Sequence, residues 1–470
     1  MKKLIVISLV FALAAASVFA VDVTIEVQGG ATIIGGSTAE FYESNGDIYD
    51  TEYTGTSFNM GLIRIGASGE TEDGKLGAWL RVDGSYTNYE TSYSIMPAGF
   101  AWWKPADFFK LQIGYNPDGE FGLDGITGWG FYEAACDVGV AVENWEFSSA
   151  FFGGWGAPGI ILSSNPIEAL TISLGIPLIE TNYNSTLHAG SNYAYQNYKD
   201  STLQIKYDIE GTGTVGFTFI GNQMEKDPVF NFNRPNEITN PTAPVGITNI
   251  ADDNPKIYAY FGLTANEDFS LDFGIGYRFS DTYDYENTVS LGSYYYTTKT
   301  TSTVNEPLAV GVGLNLKSGS FGLKARVLGE FLGSITYDYN YTTSTGASNW
   351  SFSETVSTGY KCLFDILPYF AINDKFTLYV SAGFGLTGGA EELYYKLDSS
   401  NNPVLDNGNP SFEHKTQDSE FTWHLNPYIS INYGAGSFFA GIRIESPSDT
   451  DAKDKAYINW SVPIGIAISF

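Results

Sequence analysis

The sequence predicts an all-β protein: a transmembrane antiparallel β-barrel of about 20 strands, between roughly 16 and 22. Three observations support this prediction: segments in which apolar and polar residues alternate, an export signal at the N-terminus, and a composition rich in glycine and aromatic residues. Successive side chains of a strand point to opposite faces, so alternation supplies one face for lipid and one for water. Together they predict a chain that crosses a membrane with strands.

Alternation is clearest at the C-terminus, from Ile458 to Phe470. Every second residue there is apolar, beginning with Ile458 and ending with the aromatic Phe470, and the residues between them are small or polar. The segments Leu271 to Phe279 and Phe376 to Leu386 repeat the pattern. Such segments predict wall strands with one side toward lipid and the other toward a watery lumen.

The segments that connect the strands differ in length in a regular way. Six alternating strands follow a short polar or glycine turn: Asp107 to Tyr115, Glu168 to Ile176, Asp268 to Phe279, Phe321 to Ile335, Lys375 to Leu386 and Ser437 to Glu445. Longer segments rich in polar residues, Tyr and Asp separate the hairpins: Thr38 to Thr56, Pro117 to Glu133, Ile179 to Asp200, Gly221 to Pro255, Asp281 to Glu306, Tyr339 to Thr358 and Thr387 to Glu420. The pattern predicts short turns at one end and long loops at the other, with an even strand number if both termini lie at the turn end.

Residues 1–20 are predicted to be a signal peptide. Lys2 and Lys3 precede an apolar run from Leu4 to Ala16, and Val18-Phe19-Ala20 supplies the small residues that a signal peptidase needs. Residues 21–470 would then form a single barrel domain, because no Pro- or Ser-rich linker divides them. No later stretch reaches the roughly 18 consecutive apolar residues of a membrane-spanning helix.

Composition supports the same class of protein. Aromatic residues make up 16% of the 470 residues, charged residues another 16%, and the chain contains 52 glycines. The mean hydropathy of −0.09 is near neutral, as expected when the two faces of membrane strands are averaged. The formal net charge of −29 disfavours nucleic-acid binding, because no basic stripe is present to contact phosphates.

Motifs for catalysis are scarce, and we predict that the chain is not an enzyme. Of three histidines, His424 is the best catalytic candidate, because alternation points it into the lumen. The sequence places no serine beside it as a nucleophile, so a solvated lumen histidine is the favoured interpretation. The acidic cluster from Asp449 to Asp454 lacks the glycine and glutamate of an EF-hand calcium loop. We therefore expect no catalytic residue, metal site or cofactor.

Charged residues within the alternating segments are candidate pore-lining residues. Five of the six arginines lie in predicted strands with apolar or aromatic neighbours, and alternation directs them to the lumen. A lipid-facing arginine at the bilayer midplane would cost about 2–4 kcal/mol, so energetics alone explains the placement. These residues either form salt bridges that stiffen the wall or set ion selectivity. The predicted pore-lining set is Arg64, Arg81, Asp83, Asp272, Arg278, Lys324, Arg326, Glu330, Arg443 and Glu445.

Two segments resemble parts of a known family. The C-terminal strand resembles the closing strand of bacterial outer-membrane β-barrels, where the terminal aromatic residue, here Phe470, belongs to the signal that the barrel-assembly machinery reads. The segment Gly119-Glu120-Phe121-Gly122 resembles the constriction-loop motif of porins, with Gly119 in place of Pro and Leu123 in place of the last Gly. The second resemblance implies a third loop folded into the lumen, with an acidic side formed by Asp118, Glu120 and Asp124.

The resemblance to porins carries expectations about function. It implies a cell outer membrane location, periplasmic turns, extracellular loops and contact with outer-membrane lipid. It also implies a channel through which small hydrophilic solutes or ions diffuse passively, and it leaves a homotrimer open. The alternative is a barrel that serves as a surface adhesin or structural outer-membrane protein through its long Tyr-rich loops.

The two cysteines are predicted to remain unpaired. By alternation, Cys136 shares a strand face with Val138 and Val140, and Cys362 shares one with Phe364, so both thiols would face lipid. The predicted strand order puts them nearly opposite each other on the wall, whereas a disulfide requires Cα atoms within about 7 Å.

Overall fold

The computed structural model describes residues 20–42, 48–86, 93–115, 121, 134–137, 140–141, 159–177, 201–221, 229–231, 246–248, 256–266, 268–279, 281–291, 294–305, 308–331, 333–343, 350–400, 402, 404–406, 409–446 and 458–470. Except for Ala20, the predicted signal peptide lies outside these residues. Among the described residues, no helix is long and apolar enough to cross a lipid bilayer.

The described residues are almost entirely extended. The strands are β1 (Ala20–Tyr42), β2 (Ile48–Glu70), β3 (Leu76–Tyr86), β4 (Tyr93–Ala106), β5 (Phe109–Tyr115), β6 (Gly159–Ile167), β7 (Leu170–Pro177), β8 (Thr202–Ile209), β9 (Gly213–Ile220), β10 (Val229–Asn231), β11 (Gly246–Thr248), β12 (Lys256–Asn266), β13 (Phe269–Arg278), β14 (Asp281–Leu291), β15 (Tyr294–Asn305), β16 (Leu308–Ser318), β17 (Phe321–Phe331), β18 (Ser334–Thr343), β19 (Trp350–Ala371), β20 (Phe376–Tyr395), β21 (Leu405–Asp406), β22 (Asn409–Pro410), β23 (Phe412–Thr416), β24 (Glu420–Asn432), β25 (Gly436–Gly441), β26 (Arg443–Glu445) and β27 (Ile458–Ser469). One short helix, α1, spans Ala134–Asp137.

Strand pairing closes the sheet into a ring. In the described part of the chain, 18 strand positions form this antiparallel ring, with β25 and β26 sharing one position. The order is β1 to β9, β12, β13, β16, β17, β19, β20, β24, β25 with β26, and β27, which pairs with β1. At the closure, the Phe470 nitrogen donates to the Ile25 oxygen at 2.9 Å. The predicted all-β antiparallel barrel is confirmed, with 18 wall strands in place of the expected number of about 20.

Both ends of the barrel chain lie at the end where tight turns join the strands. Ala20 pairs with Glu70, directly before the turn that leads from β2 to β3. In this turn the Thr71 hydroxyl donates a 2.7 Å hydrogen bond to Asp73. That bond, with help from the Lys75 backbone amide, holds the pKa of the Asp73 carboxyl below its usual value. Gly211 and Gly319 adopt φ values of 66° and 59° in two other turns, a conformation that favours glycine.

Several segments that we predicted to be loops are strands. Within Asp281 to Glu306, β14 pairs with β15 along its whole length, and β15 pairs with β18. β18 then pairs with the first residues of β19, beyond the barrel wall. The prediction of loops was wrong here because it relied on polarity, whereas Tyr and Thr are strong strand formers regardless of their polarity.

The strands beyond the wall have an apolar core of their own. Side chains of β18, β19 and β20 form its buried centre, and Phe352 packs on Phe412 of β23 with ring centres 4.4 Å apart. We call this unit the outer sheet pack. Its buried residues are Ile335, Tyr337, Val356 and Leu393. Folded structure therefore continues past the membrane-spanning part of the barrel.

Candidate functional site in the barrel lumen

The outer surface of the wall is apolar. On β2 and β3 the outward side chains of Ile65 and Leu80 are 48% and 55% exposed, and Ile466 on β27 is 43% exposed. Exposed aliphatic residues of this kind recur on the described wall strands around the ring. In water such a surface would drive aggregation, whereas in a bilayer it is the required surface.

The inner surface of the wall carries charged and polar residues instead. Charged and polar side chains such as Arg81, Gln112, Arg278 and Arg326 are buried on the inward faces of their strands. A closed ring that exposes aliphatic side chains and buries arginine is the reverse of a soluble protein's arrangement. The chain forms a transmembrane β-barrel of the outer-membrane type. The fold thus indicates the outer membrane as its location.

A ladder of charges crosses the inner faces of β1, β2 and β3. Arg64 donates from Nε to Asp83 Oδ1 at 2.9 Å and from Nη1 to Glu26 Oε2 at 3.0 Å. Arg81 Nε lies 2.9 Å from Asp83 Oδ2. The side chains of Arg64 and Glu26 are 30% and 29% exposed, so this end of the charged ladder is open to the lumen, whereas Arg81 and Asp83 are buried. Two arginines and two carboxylates balance one another in it.

A second polar network on β17, β19, β20 and β24 is sealed. Arg326 Nε donates to Asp365 Oδ2 at 2.9 Å, and both side chains are 0% exposed. His424 Nε2 lies 3.1 Å from Ser381 Oγ and 3.9 Å from Asp365 Oδ1. A Cβ on Gly383, the register partner of both Asp365 and His424, would lie 2.0 Å from Asp365 Oδ1. Glycine is therefore required for these side chains to meet across β20.

This sealed network corrects our interpretation of His424. The histidine was expected to be solvated, but it is buried, and Ser381 lies beside it. The three groups do not form a hydrolytic triad, because Ser381 and Asp365 approach the same ring nitrogen, whereas a triad needs the acid on the opposite nitrogen. The buried geometry holds three strands together rather than presenting a nucleophile.

The remaining pore-lining candidates lie elsewhere on the inner faces. On β26, Arg443 Nη2 and Glu445 Oε2 are 2.7 Å apart, with both side chains partly exposed. Arg278 is buried, near the outer end of β13. Asp272, Lys324 and Glu330 are partly buried and share the strand faces of Arg278 and Arg326.

Parts of the third loop, residues 116–158 between β5 and β6, lie inside the ring. The backbone oxygen of Phe121 accepts hydrogen bonds from Gln204 Nε2 at 3.2 Å and from the Tyr258 hydroxyl, and both donors belong to inward faces. Phe121 has a φ of 68°, a strained value for a bulky residue that these contacts hold in place. Its ring packs on Ile161.

The second described part of this loop reaches the far wall. Ala135, Val140 and Ala141 are buried against Leu367 of β19, Tyr428 of β24 and Phe439 of β25. These inward side chains are nearly opposite β5 and β6 in the ring order. The described parts of the loop therefore contact the inner wall on two nearly opposite sides, and we call the apolar contacts at the far wall the loop dock.

The loop dock also corrects the prediction for Cys136. This residue lies in α1 and packs at the dock, so it does not face lipid from a strand. Alternation misled us because a short apolar run inside a loop can mimic a strand. Cys362 has the outward parity that was predicted, and no disulfide joins the two within the described residues. Asp118, Glu120 and Asp124 lie outside the described residues.

The sequence analysis missed several inward residues. Asp365 lies between Phe364 and Ile366, the same signal that identified the arginines. Trp79, Phe100 and Trp102 form an inward aromatic row on β3 and β4, and alternation alone could have found it. In the described part of the chain, no group of three or more His, Cys, Asp or Glu side chains could hold a metal ion.

Comparisons with known proteins find similar architectures at low identity. No family model matches the chain, and no curated protein matches it. The anion-selective porin from Comamonas acidovorans is 9% identical with a TM-score of 0.41, and the match covers 96% of this chain and 100% of that one. Salmonella typhi OmpF, in complex with daunomycin, is 9% identical with a TM-score of 0.42, covering 96% and 97%. The outer membrane channel DcaP of Acinetobacter baumannii is 10% identical with the same TM-score and coverage.

Proposed function

We propose that the protein is an outer-membrane channel for the passive diffusion of small hydrophilic solutes or ions. The observation that supports this most directly is the charged ladder of Glu26, Arg64, Asp83 and Arg81, partly exposed inside a closed wall whose outside is apolar. The 30% and 29% exposure of Arg64 and Glu26 supports a water-filled space beside this part of the wall. A ring of 18 strands encloses more space than its own inward side chains fill.

The third loop would determine the width of this channel. Its docking across the lumen supports a constriction, and the acidic residues Asp118, Glu120 and Asp124 are proposed to face Arg64 and Arg81 across an eyelet. The pore-lining set predicted from the sequence would supply the remaining charges. Because the loops are acidic overall, we expect a weak preference for cations.

Conductance in a planar lipid bilayer tests the proposal. The folded protein should produce discrete current steps, and the same protein denatured by heat, identified by its shifted gel mobility, should produce none. A folded barrel that gives no steps would contradict the channel function, because the proposed path would then be closed.

Selectivity is tested by neutralising acidic residues in two places. The variant Asp118→Asn/Glu120→Gln/Asp124→Asn should shift the reversal potential under a salt gradient toward anions. The matched control, Asp449→Asn/Asp451→Asn/Asp454→Asn, removes the same charge from another segment and should shift it less. Equal shifts would contradict an eyelet formed by the third loop.

The outer sheet pack supports a second candidate, a surface role in adhesion. Its buried residues and stacked rings, such as Tyr339 on Phe352 at 5.3 Å, form a folded unit outside the membrane that diffusion alone does not require. Replacing β14 and β15 by a short glycine linker would separate the functions. A channel role predicts that conductance persists, whereas an adhesive role predicts that cell binding is lost.

Assembly and partners complete the proposal. We propose that residues 1–20 direct export, that residues 21–470 are one barrel domain, and that Phe470 contributes to recognition by the barrel-assembly machinery. The apolar wall would contact outer-membrane lipid, and a homotrimer is an open alternative to a monomer. Deleting Phe470 should lower the amount of folded protein in the outer membrane, and chemical crosslinking should distinguish a trimer from a monomer.

A further inference from the structure

Three glycines lie at one level where the wall continues into the outer sheet pack. Gly333 joins β17 to β18, Gly359 lies within β19 and Gly389 lies within β20, and their φ values are 78°, 83° and 72°. The register sets Gly359 opposite Gly389, and the Thr358 nitrogen donates to the Gly333 oxygen at 3.1 Å. Left-handed backbone of this kind is uncommon within strands, and a glycine there marks a bend. We call the three residues the glycine line.

The sheet divides into two layers beyond the glycine line. The ladder between β19 and β20 ends where Thr358 pairs with Ala390. Farther out, β19 pairs with β18, whereas β20 pairs with β23. The two layers meet again face to face, with Phe352 of β19 on Phe412 of β23. Every residue of this apolar core lies beyond the glycine line, so the outer sheet pack can turn about the line without exposing its core.

Strand parity indicates on which side of β20 the β18–β19 layer lies. The registers continue without a shift across the glycine line, so parity can be followed through it. Val356 of β19 has the outward parity of Cys362, and Leu393 of β20 has the inward parity of Ser381. Val356 and Leu393 nevertheless belong to one core. These two faces can meet only if the outer part of β19 lies on the lumen side of β20, over the mouth of the barrel.

The layer over the mouth turns a polar face toward the lumen side. On this face the hydroxyl oxygens of Thr336 and Thr355 are 2.9 Å apart, and Asp338 and Ser353 are register partners. Ser353 and Thr355 are exposed. The other face of the layer carries the apolar core. A change in the tilt of this layer would therefore move polar groups through water and bury or expose little apolar surface.

We propose that the outer sheet pack is a hinged cover, which turns about the glycine line and sets how open the mouth of the channel is. The inference rests on the proposed channel function and adds its regulation. The position over the mouth is the one of lower conductance. Hinges are a few residues that absorb large changes of φ and ψ, and glycine accepts positive and negative φ about equally. Three glycines in neighbouring strands let the outer sheet pack turn as one body.

Gly389→Ala tests the hinge with a small change. A Cβ at this position would lie 3.4 Å from Tyr360 Cδ1, at the edge of ordinary contact, so the methyl group fits. Alanine disfavours the φ of 72° that the position over the mouth requires. The control is Gly211→Ala, the same change at a φ of 66° in a turn at the other end of the barrel, where a Cβ has open space. Heat-modifiable gel mobility checks that both variants fold.

Two measurements follow the movement independently. Single-channel recording in a planar bilayer gives the fraction of time spent at each conductance level. Double electron–electron resonance gives the distance between nitroxide labels in lipid vesicles, with or without current. The labels are attached to Lys415→Cys on β23 and Ile205→Cys on β8, well across the ring, in a Cys136→Ser/Cys362→Ser background. The native side chains at the two labelled positions are 56% and 38% exposed, so both sites accept a label.

We expect two conductance levels and two label distances. Gly389→Ala should shift both toward the higher conductance and the longer distance, by about fivefold to tenfold in the ratio of the two states. Gly211→Ala should leave both ratios unchanged. A single label distance that Gly389→Ala does not alter, or equal effects of the two variants, would overturn the hinge and leave the channel intact. Two distances that respond to Gly389→Ala in a protein that gives no current would support the hinge and contradict the channel.

Discussion

The two Arg–carboxylate networks of the lumen have the same chemistry and opposite surroundings. The Arg64–Glu26 pair lies on the β1–β3 side with side chains 30% and 29% exposed, whereas the Arg326–Asp365 pair lies on the β17–β24 side with both partners at 0%. A pair in contact with water contributes little to stability, but a sealed pair cannot lose one partner without leaving an uncompensated charge. The difference teaches that one network is accessible from the lumen, whereas the other holds neighbouring wall strands together.

The largest expected effect comes from breaking the sealed pair. Asp365→Ala would leave the Arg326 guanidinium buried without its carboxylate and should lower the free energy of unfolding by about 3–5 kcal/mol. Glu26→Ala, which removes a carboxylate from the open ladder, should cost about 0–1 kcal/mol. Urea unfolding in lipid vesicles, followed by tryptophan fluorescence, measures both. Similar losses for the two variants would remove the distinction between the networks.

A smaller effect tests the two faces of one strand. Ile65 faces lipid and Gly66 faces the lumen, where a Cβ would meet only ordinary contacts at 3.9 Å. Ile65→Arg should destabilise the barrel by about 2–4 kcal/mol if it lies near the midplane, and Gly66→Arg should cost clearly less. The same unfolding measurement applies. A larger loss for Gly66→Arg would show that the faces are assigned the wrong way round.

The side chains that point inward or outward could be predicted from the sequence, because alternation is a local property of each strand. Arg64, Arg81 and Arg326 could be directed inward residue by residue, and Asp365 could have been added by the same rule. The partner of each charge could not be predicted, because it depends on which strands are neighbours and on their register. The strands β14, β15 and β18 interrupt the order of the wall strands along the chain, so neighbours in the wall are not always consecutive strands. The loop dock could not be predicted for a related reason: Val140 joins the cluster of Leu367, Tyr428 and Phe439 only after the ring has closed.

The loop dock itself should affect current more than stability. Phe439→Ala removes an aromatic side chain that holds the third loop against the far wall, so we expect a larger and noisier single-channel conductance. Phe438→Ala is the matched control, because the neighbouring ring has the outward parity of Ile466, its register partner. Bilayer recording measures both. Unchanged conductance in Phe439→Ala would mean that the docked loop does not limit the passage.

Cysteine accessibility tests most directly whether the passage runs along the open ladder. Both native cysteines are first replaced, in a Cys136→Ser/Cys362→Ser background. Glu26→Cys then places a thiol in the charged ladder, where the Glu26 side chain is 29% exposed, and Ser381→Cys places one in the sealed network, where Ser381 is 0% exposed. A water-soluble methanethiosulfonate reagent is added during single-channel recording. We expect a rapid, lasting drop in current for Glu26→Cys and no change for Ser381→Cys. A drop in current for Ser381→Cys and none for Glu26→Cys would contradict it.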